Sequence, residues 1–126
     1  MALAYHLPIY KASYDMILQL FHVIKKYPKE FKYTLGEQLK KDSLTLISSI
    51  YKAHIAVWSI SSGRWVVAHD LLLEARWHLE SVRVMLRISH DLHVIPVEKF
   101  AVLQVSLENI SKQLSGWDSS MKRIGH

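Results

Sequence analysis

Between residues 65 and 86, apolar or small side chains recur in an unbroken alternation of three and four: Trp65, Ala68, Leu72, Ala75, Leu79, Val82 and Leu86. A helix turns once every ~3.6 residues, so this spacing draws one stripe along one side of a rod. A strand would need a period of two. A helix this long, carrying one apolar stripe, gains its stability by burying that stripe against other helices. The spacing therefore predicts a helix from about Arg64 to Leu92, packed in a bundle. Ala68 and Ala75 are small enough to let a neighbouring helix approach closely.

The partners are legible on both sides. From Ile9 to Tyr27, Tyr10, Tyr14, Ile17, Phe21 and Ile24 form one stripe, and Met16, Leu20, Val23 and Tyr27 a second beside it. That helix must stop before Pro28, because proline disfavours helical geometry in the residue preceding it. Pro28 to Tyr33 is a lysine-rich connection, and Thr34-Leu-Gly-Glu37 reads as a capping box. The next helix runs to about Ile60, with Leu35, Leu39, Leu46, Ile50, Ala53 and Val57 as its main stripe. Leu44, Ile47, Tyr51 and Trp58 form its second, and Ser61-Ser62-Gly63 offers a turn. After His93-Val-Ile95, Pro96 suits the first position of a last helix. Phe100, Leu103, Leu107, Ile110 and Leu114 line that helix, and Gly116 is its expected stop.

Short links between four amphipathic helices give an all-α, antiparallel up-down-up-down four-helix bundle. The expected organisation is a lead-in over residues 1–8, the bundle over 9–117 and a frayed, mildly basic tail over 118–126. The doubled stripes, with Trp58, Trp65 and Trp77, exceed what one small bundle buries. The surplus predicts self-association.

Several classes of chemistry are disfavoured. The 126 residues contain no cysteine, which removes disulfides and thiolate metal sites. No secretory leader is visible and no apolar run could span a bilayer, so a cytoplasmic protein without membrane contact is expected. The eight histidines are scattered; His90 and His93 form a lone pair with no matching ligand pair, and His69 and His78 read as interfacial or surface residues. No metal, cofactor, phosphate loop or nucleophile elbow is expected. Arg83 followed at a distance by His90 resembles the signature of the all-helical HEPN ribonucleases, but Val84 stands where that family usually has a polar residue.

Charge points instead to binding. The formal net charge of +5 is uneven, and six lysines (Lys25, Lys26, Lys29, Lys32, Lys40 and Lys41) face only Glu30 and Glu37 in their stretch. Arg76, Arg83 and Arg87 form a file beside the apolar stripe, with Glu80 and Asp91 placed to pair with Arg76 and Arg87. Such asymmetry favours a polyanionic partner, and repetition around an oligomer would multiply a patch that is weak in one copy.

Five stretches taken in order carry a resemblance: Leu7-Pro-Ile-Tyr10, Tyr27-Pro-Lys29, Phe31-Lys-Tyr-Thr-Leu-Gly36, Val82-Arg-Val-Met-Leu-Arg87 and Leu114-Ser-Gly-Trp117. Together they resemble the accessory variability determinant (Avd) family of diversity-generating retroelements, over nearly the whole chain. The resemblance implies a non-enzymatic four-helix protein, assembled as a homopentamer with a basic surface. It implies binding to a reverse transcriptase and its template RNA, with DNA as a further polyanion, in support of mutagenic cDNA synthesis. It also implies that Arg83 and Arg87 belong to that surface; the lysine cluster is added to it from charge alone. A sister group, encoded within intervening sequences of large-subunit ribosomal RNA genes, is similar in the Tyr-Pro and Leu-Gly elements. A helical module for an acidic protein surface is the other alternative, and the HEPN-like ribonuclease the least favoured.

Overall fold

The computed structural model describes residues 7–59 and 64–125, with side chains over 7–57 and 66–120. The Ser61-Ser62-Gly63 turn, the packing of Trp58 and Trp65, and most of the lead-in lie outside the described residues. Four long helices pack together: α1 (Pro8–Ile24), α3 (Leu35–Ser59), α4 (Arg64–Asp91) and α5 (Val97–Gly125). The lysine-rich connection holds one further helical turn, α2 (Lys29–Lys32).

The α4 stripe is the axis of the core. Ala68, Leu72, Ala75, Leu79, Val82 and Leu86 are all buried. Leu39, Leu46, Ile50 and Ala53 meet them from α3, and Leu103, Leu107, Ile110 and Leu114 from α5. On α1 the core is made by Ile9, Met16, Ile17, Leu20, Val23, Ile24 and Tyr27. The tyrosine stripe is turned aside: Tyr10 lies 6.3 Å from Tyr51 on α3, and Tyr14 is half exposed. Neighbours are α1 with α3, α3 with α4, α4 with α5, and α5 with α1, which closes a four-membered bundle. Tyr10 beside Tyr51, and Phe21 beneath Lys40 at 5.7 Å, make α1 and α3 antiparallel. His69 with Asp118, and Arg83 with Glu108, do the same for α4 and α5.

Three local expectations are corrected. Gly116 does not stop α5, which continues to Gly125. A helical glycine costs only about 1 kcal/mol, and Trp117 packing on the core with Asp118 bonding His69 outweighs it. Residues 118–125 are therefore helix rather than frayed tail. At the start of α3 the Thr34 hydroxyl donates back to the Glu30 carbonyl at 2.8 Å, while Glu37 lies 3.6 Å from Lys40, in place of the expected capping box. Pro96 precedes α5 rather than opening it, and its carbonyl accepts from the Lys99 and Phe100 amides.

Two backbone positions fix the end of the bundle where α1 and α4 finish. Gly36 sits where a Cβ would come within 2.9 Å of Ile24 Cγ2, so the α1–α3 crossing is too tight for any side chain. At the end of α4 the amide of Val94 bonds the Ser89 carbonyl and that of His93 bonds the His90 carbonyl. This is a Schellman closure, and His93 takes the left-handed turn at φ 60° that glycine usually fills.

Two outcomes follow from these positions. Gly36→Ala should lower stability by about 1–3 kcal/mol in chemical denaturation, because Ile24 is fully buried and cannot yield. His93→Gly should raise it by about 1 kcal/mol, by relieving the left-handed turn; an unchanged midpoint would show that the histidine offsets that strain.

Candidate partner-binding surface

The antiparallel order brings distant cations to one end of the bundle. Lys25 and Lys26 follow α1, Lys29 and Lys32 lie on α2, Lys40 and Lys41 open α3, and Arg83 and Arg87 sit late on α4. Lys99 joins them at the start of α5. Sequence reading overlooked Lys99, an isolated lysine in a nearly neutral stretch. Only the topology that sets the start of α5 beside the end of α1 reveals it.

The arginine file divides by where each residue points. On α4, His69, Arg76, Arg83 and His90 recur every seven residues on the flank that meets α5. Arg76 is a clamp: its guanidinium donates to the Ser111 carbonyl and the Ser115 hydroxyl, each at 2.8 Å, and to the Ser111 hydroxyl. Arg83 bonds Glu80 at 3.1 Å and reaches Glu108 at 3.5 Å, with its side chain 29% exposed. Arg87 pairs with Asp91 at 3.2 Å and is 69% exposed. His90, with help from Arg87, holds the Asp91 carboxyl below its usual range. Arg83 and Arg87 share a shallow cleft of about 410 Å³ with Val84, Phe100 and Gln104. His90 stands behind one wall of this cleft, stacked on Phe100 at 4.4 Å.

The lysines also separate. Lys40 is committed to Glu37 and to the Phe21 ring. Lys25 and Lys26 are exposed and, with Lys99, border a cleft of about 640 Å³ between α1 and α5. Lys29 and Lys41 are exposed and Lys32 is half-buried, none of them lining that cleft.

Two histidines expected at the surface or an interface instead knit helices within the chain. His69 Nδ1 lies 2.6 Å from Asp118, joining α4 to α5. His78 Nδ1 lies 2.9 Å from Asp42, a carboxylate only 4% exposed. Asp42 also accepts from Ser81 at 2.6 Å and from Gln38 at 3.1 Å. Burial pushes this carboxyl upward, but the hydrogen bonds from Ser81, His78 and Gln38 together outweigh it and leave Asp42 below its usual range. No spacing along the chain signals this. The available cue was an acidic residue within the apolar course of α3.

Among the described residues, no group of three or more His, Asp or Glu side chains could hold a metal ion. No described helix is long and apolar enough to cross a membrane.

Asp42 carries a pH consequence. Its folded form is the more acidic, so its contribution is present above the ordinary carboxylate range and fades as pH falls through the lowered folded value. Asp42→Asn should cost about 1–3 kcal/mol at neutral pH and flatten the acid limb of stability against pH. Urea midpoints across the acid range would test both effects.

A family model described as bAvd-like matches residues 7–121. No curated protein matches the chain.

Proposed function

The chain belongs to the bAvd-like family, the bacterial accessory variability determinants, and on that premise we propose that its basic end binds a reverse transcriptase and its template RNA to support mutagenic cDNA synthesis. Membership makes it an accessory protein of a diversity-generating retroelement, in a family whose members are non-catalytic. The observation that carries the finer reading is the gathering of Lys25, Lys26, Lys29, Lys32, Lys40, Lys41, Arg83 and Arg87 at one end of the bundle. Phosphates would take over from carboxylates there. The pairs of Arg83 and Arg87 lie at the surface, where an ion pair is worth only ~0–1 kcal/mol. A guanidinium can exchange such a partner for a phosphate, which it grips with two parallel hydrogen bonds.

Self-assembly belongs to the same proposal. Leu73, Trp77, Val84 and Ile88 form an exposed apolar stripe on the outer side of α4, with Trp77 66% exposed. Tyr14, Leu18, Leu44 and Tyr51 form another on the α1–α3 side. Two unlike apolar faces on different sides of one subunit support a head-to-tail contact, the kind that closes into rings. A homopentamer is the ring this reading takes.

RNA affinity of the full chain should fall steeply with salt, because phosphate contacts release counterions. Arg83→Ala with Arg87→Ala should reduce the slope of log affinity against log salt by about 2, while the helical circular dichroism stays unchanged. An unaltered slope in the double variant would assign both arginines to structure alone.

A further inference from the structure

The cleft between the end of α1 and the start of α5 has an unusual division of chemistry. Its floor is aliphatic: Val23 and Leu103 are buried core residues, and Val94, Pro96 and Val102 extend the surface outward. Its rim carries Lys25, Lys26 and Lys99, and among the described residues no carboxylate lines it. Among the described residues these three lysines form no ion pair, unlike Arg76, Arg83, Arg87 and Lys40. At about 640 Å³ the cleft is within the ~300–1,000 Å³ of pockets that hold ligands.

We propose that this cleft binds an acidic, leucine-bearing segment of a protein partner. The apolar side chain sits on the floor of Val23, Val102 and Leu103, and flanking carboxylates meet Lys25, Lys26 and Lys99. The inference rests on the accessory-protein reading and deepens it, by giving this cleft to a protein partner and leaving RNA to the remaining basic surface.

Single-stranded RNA is a poorer match to the same walls. Its bases bind by stacking on aromatic rings or guanidinium planes, and by hydrogen bonds to their edges. Among the described residues that line this cleft there is no Phe, Tyr, Trp or arginine; the exposed imidazole of His22 is the one ring, and Gln19 adds an amide. An aliphatic floor would gain little from a base and much from a leucine. Lysine ammoniums on flexible stems tolerate carboxylates at varied positions, as a peptide supplies, without a fixed bidentate geometry.

The test uses the full chain and fluorescence anisotropy with three labelled probes. One is a peptide of about four helical turns with leucines one turn apart and glutamates elsewhere. The second replaces those leucines with serine, and the third is a single-stranded RNA of matching charge. Val102→Asp places a carboxylate in the cleft at a half-exposed position, and Lys25→Glu with Lys99→Glu reverses its rim. Circular dichroism and melting check that each variant folds.

The leucine peptide should bind saturably, and lose about tenfold in affinity on leucine replacement or on either change to the cleft. RNA affinity should change less than about twofold with Val102→Asp. Equal binding of the serine peptide would reduce the cleft to a patch of charge and overturn the proposal. So would loss of RNA affinity as large as the peptide's on Val102→Asp, or no saturable binding of the leucine peptide. Failure of the broader reading is distinguishable, because it would appear as weak, salt-insensitive RNA binding by the unaltered chain, whatever the peptide does.

Discussion

The seam of α4 is the constraint from which the other positions follow. Ala68, Leu72, Ala75, Leu79, Val82 and Leu86 must all reach the core, and this fixes the helix's rotation about its axis. Once rotation is set, a residue one position from a seam residue has no freedom in which neighbour it meets. His69, Arg76 and Arg83 are such residues, His90 continues their file beside buried Ser89, and each faces α5. Their partners differ: a carboxylate, a carbonyl with hydroxyls, another carboxylate and an aromatic ring. A single geometric rule thus delivers polar groups to α5, and local chemistry decides how tightly each is held. Arg87 lies further round, pairs with Asp91 of its own helix and is the most exposed of the three arginines.

Much of the bundle was legible because apolar spacing reports directly on burial. The α4 and α5 stripes occupy the core as read, at every position whose side chain is described except half-buried Phe100. The doubled stripes of α1 and α3 could not be resolved in the same way. Spacing shows that Tyr10, Tyr14 and Ile17 share a flank with Phe21, but not which of two adjacent flanks turns inward. Met16, Leu20 and Val23 turn inward together with Ile17 and Ile24 of the other stripe, and Tyr14, Leu44 and Tyr51 are left at the surface. Gly116 misled because a glycine's preference is local, whereas the contacts of Trp117 and Asp118 that continue the helix are tertiary. Asp42 and His78 were invisible for the same reason: thirty-six residues separate them, and no period links them.

The recurring short stretches acquire physical meaning in the fold. Tyr27 of the Tyr-Pro pair is nearly fully buried, closing the core before Pro28 redirects the chain. Burial raises its phenol, with Ser89 on α4 pulling the other way. Gly36 of the Leu-Gly pair permits the α1–α3 crossing. Both lie beside the lysine-rich turn, so the elements that carry the family resemblance also shape the end of the molecule where cations collect. Individual cations could be read from sequence. Their common location needed the antiparallel order, which folds the end of α1, the start of α3, the end of α4 and the start of α5 together.

The tight crossing at Gly36 has a geometric consequence. Ile24 Cγ2 stands too near for even a methyl group at residue 36, so α1 and α3 approach more closely at that end than any side chain there would allow. At residue 36 the two helices thus meet with no side-chain spacer from α3 between them.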